Sequence, residues 1–393
     1  GAGTVTIREP VYTNDTLVID DSREGWVNSV HILLDGFFLG ANVPKFDYSA
    51  IRPEGAPILG FGGTSSGAGP LIELHENLTQ LFSDKVGEQI TSVDIVDTEN
   101  LIGRCVVAGN VRRSAALAIG DYDDTRYLEM KNDQEKLYHH RWGSNNSFDA
   151  EVGMDYAWHA EQSQKNGEPG YIWLSNARAY GRMKDGENYD DIEVMGFNPC
   201  VEQSLHNAEM CCLVETFPAK HEDYEDYVKT LKCAYLYGKT VTLVNTHWPE
   251  TNAKMLKNRR IGLSQSGIIQ AFNKHGRRSM MDWCDDAYEY VRELDTEYSN
   301  WLCVPKSIKM TSIKPSGTVS LLNGSTPGIH FPESEFYIRR IRFSNTSPIL
   351  PQLMAAGYKT EKDKYSPNTT VVEFPVHEEF FTKGKKDVSM WEQ

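Results

Sequence analysis

A membrane-spanning helix needs about eighteen consecutive apolar residues, and this sequence has no such run. It has no charged-then-apolar leader at its start either, so the expectation is a cytoplasmic protein that needs no membrane. Paired CxxC motifs are absent, and the seven cysteines are odd in number and scattered. A secreted disulfide framework and a CxxC-type zinc site are therefore not expected, nor is any other metal site. Positive charge is scarce: 40 lysines and arginines face 55 aspartates and glutamates, a formal net charge of −15. Broad binding to DNA or RNA depends on cations that neutralise phosphates, so nucleic acid is not an expected partner. A bound nucleotide stays open, because it needs only a local cradle of backbone N–H groups and a few cations. No internal repeat, low-complexity tract or Walker A loop occurs.

What is present is the make-up of a folded chain: 40% of the 393 residues are hydrophobic, with 8 tryptophans and 19 tyrosines, enough to bury a large core. Trp26, Val30, Leu33, Leu34, Phe37 and Phe38 recur at helical spacing after Asp21 and Ser22, either of which can cap the helix. "LIELHENLTQLFSDKV" and "DDAYEYVRELDTEYSNWL" carry the same period, while "CVVAGNVRRSAALAIG", "TVTLVN" and "TVVEFPV" read as strands. Alternating helices and strands predict an α/β architecture. The one linker-like stretch, "EKDKYSPNT", is too short and too late to mark a boundary, so residues 1–393 are expected to form a single domain.

Glycine-rich turns recur, at "GFGGTSSGAGP" (60–70), "RWGSNNS" (141–147), "NGEPGY" (166–171), "KPSGTVS" (314–320) and "NGSTPGIH" (323–330). "KPSGTVS" is the most informative of them. Pro315 is expected to end a strand and Ser316, Gly317 and Thr318 to open a helix whose free N–H groups and hydroxyls meet an anion.

"FNPCVEQSLHNAEMCCLVE", residues 197–215, holds three cysteines and two glutamates. Pro199 stiffens its turn and can hold the Cys200 thiol at a loop tip. Glu202, two residues on, projects to the same side of an extended loop. A carboxylate there raises a thiol's pKa, which disfavours ionic nucleophilic chemistry. A neutral thiol that gives up a hydrogen atom meets no such penalty, and with Glu202 as base and Asn198 as hydrogen-bonding amide the three suit radical chemistry on a sugar. Cys211 and Cys212 can supply reducing thiols, although a bond between neighbours is strained and the partner of either is expected elsewhere. Three buried apolar cysteines are the plain alternative.

In the order found here, "IRPEGAPILGFGGTSSGAGPL", "VVAGNVRRSA", "HHRWGSNNSF", "GEPGYIWLSNARAYGRM", "NPCVEQ", "KPSGTVSLLNGSTPGIHFP" and "YIRRIRF" resemble the motifs of class II, adenosylcobalamin-dependent ribonucleoside-triphosphate reductases of the monomeric type. The resemblance implies radical reduction of ribonucleotides to deoxyribonucleotides with adenosylcobalamin as cofactor. It implies a ten-stranded α/β barrel of the ribonucleotide reductase and glycyl-radical type, threaded by a finger loop at about 196–213 and incomplete without its N-terminal part. Cys200 resembles the thiyl-radical cysteine, Glu202 the base at the 3′-hydroxyl, Asn198 the ribose-binding amide and Cys211 one member of the reducing pair. Ser316, Gly317, Thr318 and Val319 resemble the substrate-phosphate loop. Trp142, Ser144, Asn145 and Asn146 resemble the loop that carries effector information. A nucleotide effector and a thioredoxin-like reductant are the implied partners.

Departures accompany the match. The family's long N-terminal region, with its second redox cysteine, and its C-terminal shuttle cysteines have no counterpart here, so the expectation is a separate polypeptide that supplies the missing part, or a trimmed piece. Cys105 is a weak substitute, since its segment resembles another family region. Val201 stands where glycine usually follows the cysteine, and Cys212 where asparagine is usual. The competing readings are a class I reductase catalytic subunit, a glycyl-radical enzyme and a non-catalytic nucleotide-binding subunit. His139, His140, His247 and His330 default to structural roles. Arg112 and Arg113 could meet an anion, while Arg339 and Arg340 brace the fold.

Overall fold

The computed structural model describes residues 5–58, 63–109, 112–364 and 369–393. The start of "GFGGTSSGAGP", the centre of "VVAGNVRRSA" and most of the "KYSPNT" end of the linker-like stretch lie outside the described residues. Contacts divide the chain into two compact units, Gly1–Ile172 with Ser344–Leu350, and Trp173–Phe343 with Pro351–Gln393. No described helix is long and apolar enough to cross a membrane.

The first unit opens with β1 (Val11–Val18), α1 (Arg23–Leu39) and β2 (Asn42–Asp47), β1 and β2 pairing in parallel. Ser22 caps α1, its hydroxyl accepting from the Gly25 N–H at 3.0 Å, as the spacing predicts. α2 (Gly69–Ser83) and α3 (Ser92–Val107) follow, α3 starting at a reciprocal capping box between Thr91 and Asp94. Ile7, Leu33, Phe37, Leu71, Leu78 and Phe82 form the core between these elements. β3 (Ala116–Gly120), α4 (Thr125–Glu129), α5 (Gln134–His139), β4 (Ser144–Asp149), α6 (Ala157–Asn166) and β5 (Gly170–Ile172) complete the unit, with a parallel sheet in the order β3-β4-β5.

The second unit runs through α7 (Leu174–Ala179), β6 (Gly196–Phe197), β7 (Ser204–Leu205), β8 (Leu213–Thr216), α8 (Tyr224–Val241), α9 (Pro249–Asn258) and β9 (Gly262–Gln265). It continues with α10 (Ile268–His275), α11 (Arg277–Leu302), α12 (Val319–Leu322), β10 (Phe336–Ser344), α13 (Leu350–Ala355), β11 (Thr360–Lys362) and β12 (Thr369–His377). Tyr227, Leu231 and Tyr235 on α8 meet Val291, Leu294 and Tyr298 on α11, each set at i, i+4 or i+3 spacing. A buried ion pair, Lys239 Nζ to Asp295 Oδ1 at 2.7 Å, ties the same two helices. β8 and β9 pair in parallel, and β12 lies between β10 and β11.

The α/β class follows from these elements, but the described strands form five sheets of two or three strands and none of them closes into a barrel. Two strand expectations are corrected. Cys105, Val106 and Val107 end α3, where the Thr91 box and the apolar stripe of the whole helix outweigh their β-branching. Thr240 and Val241 belong to the last turn of α8 and Thr242 and Leu243 to the turn after it, the helix being held on α11 through Leu231, Tyr235 and the Lys239–Asp295 pair.

Candidate active site

β6 and β7 form an antiparallel hairpin with only two paired positions, Gly196 with Leu205 and Phe197 with Ser204. Asn198 closes its loop: its N–H donates to Gln203 O at 3.0 Å, and its Oδ1 accepts from the Gln203 N–H at 3.0 Å. Its carbonyl also accepts from the Val201 N–H at 2.9 Å, so Asn198–Val201 is a turn with Pro199 at the position its fixed φ suits. Cys200 thus stands at an exposed tip. Val201, at φ +66°, lies in the left-handed region, which a β-branched residue rarely enters.

Within this loop the chemistry-bearing groups converge. The Glu202 side chain is 2% exposed, with Oε1 3.1 Å from Lys314 Nζ, while Oε2 has no hydrogen-bond partner among the described residues. Ser312 Oγ donates to the Glu202 carbonyl at 2.9 Å. Asn198 Nδ2 donates to the Cys211 sulfur at 3.6 Å. Burial, reinforced by the negative charge of Glu202, pushes the Cys211 thiol up to about 12, against the opposing pull of Lys314, with Cys212 and Cys200 adding to the rise. Cys211 is therefore a neutral thiol at physiological pH. Cys212 is buried beside Glu209, its thiol also pushed up by burial and by that charge, and its carbonyl accepts from the Gly262 N–H at 2.8 Å. All seven cysteines are free thiols.

A buried ionic cluster carries the stem of this hairpin. Arg260, fully buried, holds Asp191 with two hydrogen bonds of 2.6 and 2.8 Å and lies 3.1 Å from Glu209. Lys309 reaches Asp191 at 3.0 Å and His206 reaches it at 2.7 Å. The Ser204 hydroxyl, on β7, accepts from Arg260 and Lys309 at 3.1 Å each. Burial would raise the Asp191 carboxyl, but the hydrogen bonds and charge of Arg260, with Lys309 and His206, hold it down at about 2. Gly262, at the start of β9, lies so close to the hairpin that a Cβ there would collide with Gln203 Oε1 and Leu213.

The other sequence-derived sites fare differently. Residues 313–318 are neither strand nor long-helix start, and α12 has only four residues. Pro315 offers no ladder donor, and the turn at Asn323–Gly324 stops the helix at once. Ser316 is 1% exposed and its hydroxyl donates to Glu215 Oε2 at 2.7 Å, so it is committed to a carboxylate. Ser266 holds the other oxygen of Glu215. Gly317, Thr318 and Val319 are exposed. In the first unit, Trp142 is half-exposed on a short turn, but Ser144, Asn145 and Asn146 lie in the central strand β4 rather than in a loop. There Asn100 donates to the Ser144 hydroxyl at 3.0 Å, and that hydroxyl donates to Asn146 Oδ1 at 2.8 Å. Buried partners and two parallel neighbours override the turn propensity of the "GSNNS" stretch. Cys105 packs against the first unit's core on α3. His140 pairs with Asp97 at 2.9 Å, and Arg339 lies over the Tyr337 ring, both structural settings.

Lys314, Ser312 and the Asp191–Arg260 cluster were not legible in the sequence. Lys314 sits inside a motif read for its glycine and serine, and nothing in the spacing links it to Glu202 more than a hundred residues earlier.

Residues 6–82 match the protein family described as B12-dependent ribonucleotide reductase, insertion domain. Over 379 residues, 96% of the chain, the sequence is 52% identical to a probable adenosylcobalamin-dependent ribonucleoside-triphosphate reductase of Dictyostelium discoideum, half of whose length is covered. It is 47% identical over 398 residues to the adenosylcobalamin-dependent ribonucleoside-triphosphate reductase of Euglena gracilis, covering 55% of that protein. The crystal structure of a B12-dependent (class II) ribonucleotide reductase superposes with a TM-score of 0.81 at 38% identity, over 93% of this chain and 55% of that one. The chain thus spans about half the length of the curated relatives it matches.

Proposed function

We propose, from the kinship of nearly the whole chain with adenosylcobalamin-dependent ribonucleoside-triphosphate reductases, that it carries the substrate-reducing site of such an enzyme. One observation carries the reading. An exposed Cys200 follows Pro199 at a hairpin tip, next to a buried Glu202 with one oxygen unpartnered among the described residues and within the electrostatic reach of Cys211.

The residues suit the cofactor's chemistry, because an accessible thiol and a neighbouring neutral one exchange hydrogen atoms without first ionising. Adenosylcobalamin, when bound, supplies the radical equivalent that turns a thiol into a thiyl. In the proposal Cys200 is the residue that faces it and takes the 3′ hydrogen atom of the ribose. Glu202 accepts the 3′-hydroxyl proton at Oε2, and Asn198 orients the ribose and Cys211 together. The 2′-hydroxyl leaves as water while Cys211 and a second cysteine thiol lose two electrons and two protons to become a disulfide; these supply the hydrogen that C2′ gains and the proton that completes the water, Glu202 returns its proton to the 3′-oxygen and Cys200 returns its hydrogen atom to C3′. A further polypeptide or chain segment supplies that second cysteine, and a thioredoxin-like reductant reopens the disulfide.

Gly317, Thr318 and Val319 present the backbone for substrate phosphates, while Ser316 shapes the loop through Glu215. Trp142, with Ser144, Asn145 and Asn146 behind it, is the proposed route for a nucleotide effector. Residues 1–393 serve one catalytic domain, and a ten-stranded barrel is the proposed setting of the hairpin. The relatives' names favour cobalamin over the class I, glycyl-radical and non-catalytic alternatives.

The test is turnover of ribonucleoside triphosphates by the protein with adenosylcobalamin and a dithiol, followed by chromatography of the deoxyribonucleotide. Activity lost in Cys200→Ser and in the absence of adenosylcobalamin supports the reading. Turnover that persists without the cofactor, or in Cys200→Ser, overturns it.

A further inference from the structure

We infer that Lys314 is a positioning residue for Glu202, holding one carboxylate oxygen so that the other is the only one free to receive a proton. The inference rests on the catalytic reading above and adds to it a residue that the sequence pattern gave no role of its own.

The geometry is built from both sides. On one side, Ser312 Oγ donates to the Glu202 carbonyl at 2.9 Å, which fixes the backbone of the proposed base against the 312–316 segment. On the other, Lys314 Nζ takes Glu202 Oε1 at 3.1 Å, and Oε2 is left buried and unpartnered among the described residues. A buried polar atom without a partner is costly, and such atoms are retained where a ligand completes them. The lysine itself is delivered from a fixed backbone. Its N–H donates to Ser264 Oγ on β9 at 2.8 Å, and its carbonyl accepts from the Ser316 N–H at 2.9 Å. Gly328 approaches so closely that a Cβ would come within 2.7 Å of that carbonyl.

The titratable groups that face the Cys211 thiol are Glu202, Lys314, Cys212 and Cys200. Lys314 is the only cation in that set, and its own pKa moves up: burial pulls it down, but the hydrogen bond to Glu202 and the Glu202 charge outweigh burial. Removing the ammonium therefore leaves the Glu202 charge acting alone on the thiol. A lysine that gripped substrate phosphate instead would leave both Glu202 oxygens equivalent, and the two roles predict different kinetics.

Two readouts separate this inference from the reading it rests on. In the full chain, alkylation of Cys211 by iodoacetamide is followed by peptide mass spectrometry from neutral to alkaline pH. Lys314→Met is expected to slow it about tenfold at each pH, because the lost cation raises the thiol pKa, while Lys314→Arg stays near wild type. An unchanged rate in a folded Lys314→Met chain, checked by circular dichroism, overturns the inference whether or not the protein reduces nucleotides. In cobalamin-dependent turnover, Lys314→Met is expected to lower kcat with KM held, Lys314→Arg to recover most of it, and Lys314→Met to add no loss to Glu202→Gln. A raised KM with kcat held, or additive losses in the double variant, also overturns it. A wild-type chain that binds cofactor but turns nothing over counts against the catalytic reading, and the alkylation result stands apart from it.

Discussion

Replacing Asp191 with asparagine removes one negative charge from the buried cluster that carries the β6–β7 hairpin and leaves the fully buried Arg260 guanidinium with Glu209 as its one carboxylate partner among the described residues. The wild-type carboxyl is held down at about 2 against an ordinary 3.8, and that gap is worth about 2 kcal/mol of native-state stability at neutral pH. Stranding a buried charge by removing its partner costs about 3 to 5 kcal/mol, and asparagine keeps one acceptor, so a loss of about 2 to 4 kcal/mol is expected. Hydrogen exchange read by mass spectrometry on peptides that cover β6, β7 and the stretch around Asp191 reports this locally. A loss of about 2 kcal/mol raises exchange there about thirtyfold, with the first unit's peptides unchanged. Because the folded pKa is depressed, the charge's contribution is complete above 3.8 and fades as pH falls toward about 2. The wild-type advantage over Asp191→Asn must therefore shrink across that window. Equal exchange at neutral pH, or a difference that survives unchanged in acid, would refute the assignment of the cluster as the hairpin's anchor.

Three further outcomes follow from the same geometry. Val201→Gly relieves about 1 to 2 kcal/mol of left-handed strain and gives back about 0.5 to 1 in backbone entropy, so its unfolding free energy stays within about 1 kcal/mol of wild type; a loss above about 2 in a denaturant titration contradicts the φ of +66°. Gly262→Ala forces a methyl onto Gln203 and Leu213 and is expected to destabilise the second unit by about 1 to 3 kcal/mol, read as a lower thermal midpoint. Ser316→Ala leaves Glu215 short of a donor and is expected to cost about 1 to 3 kcal/mol in stability, with KM for a nucleoside triphosphate within about twofold of wild type. A large KM rise without loss of stability would return that hydroxyl to the substrate.

Much of this could be read from the residues, and the rest fails for identifiable reasons. Ser22, Trp26, Leu33 and Phe37 announce α1 because cap chemistry and helical period are local signals. Asn198, Pro199 and Cys200 announce a turn for the same reason, and the turn is there. "GSNNS" deceives because Asn100 donates to the Ser144 hydroxyl, Lys131 to its carbonyl, and Glu168 accepts from the Asn146 N–H, partners that only the tertiary fold brings up. Ser316 deceives similarly, since a serine in a glycine loop looks available until Glu215 is found against it. Arginines are mostly exposed, yet Arg259 and Arg260 are both buried, and Asp191 and Glu209 arrive from other segments to neutralise the second. Spacing brings Glu202 beside Cys200 and the resemblance singles out Cys211, but which oxygen of Glu202 is free depends on Lys314, far along the chain.

The hairpin has two ladder rungs, too few to hold its own shape in water. Its geometry is consequently borrowed from ions packed under the stem, not earned by strand pairing. Mutations along β6 or β7 should then be tolerated so long as Ser204 survives, whereas a distant change at position 260 would slacken a tip it never touches.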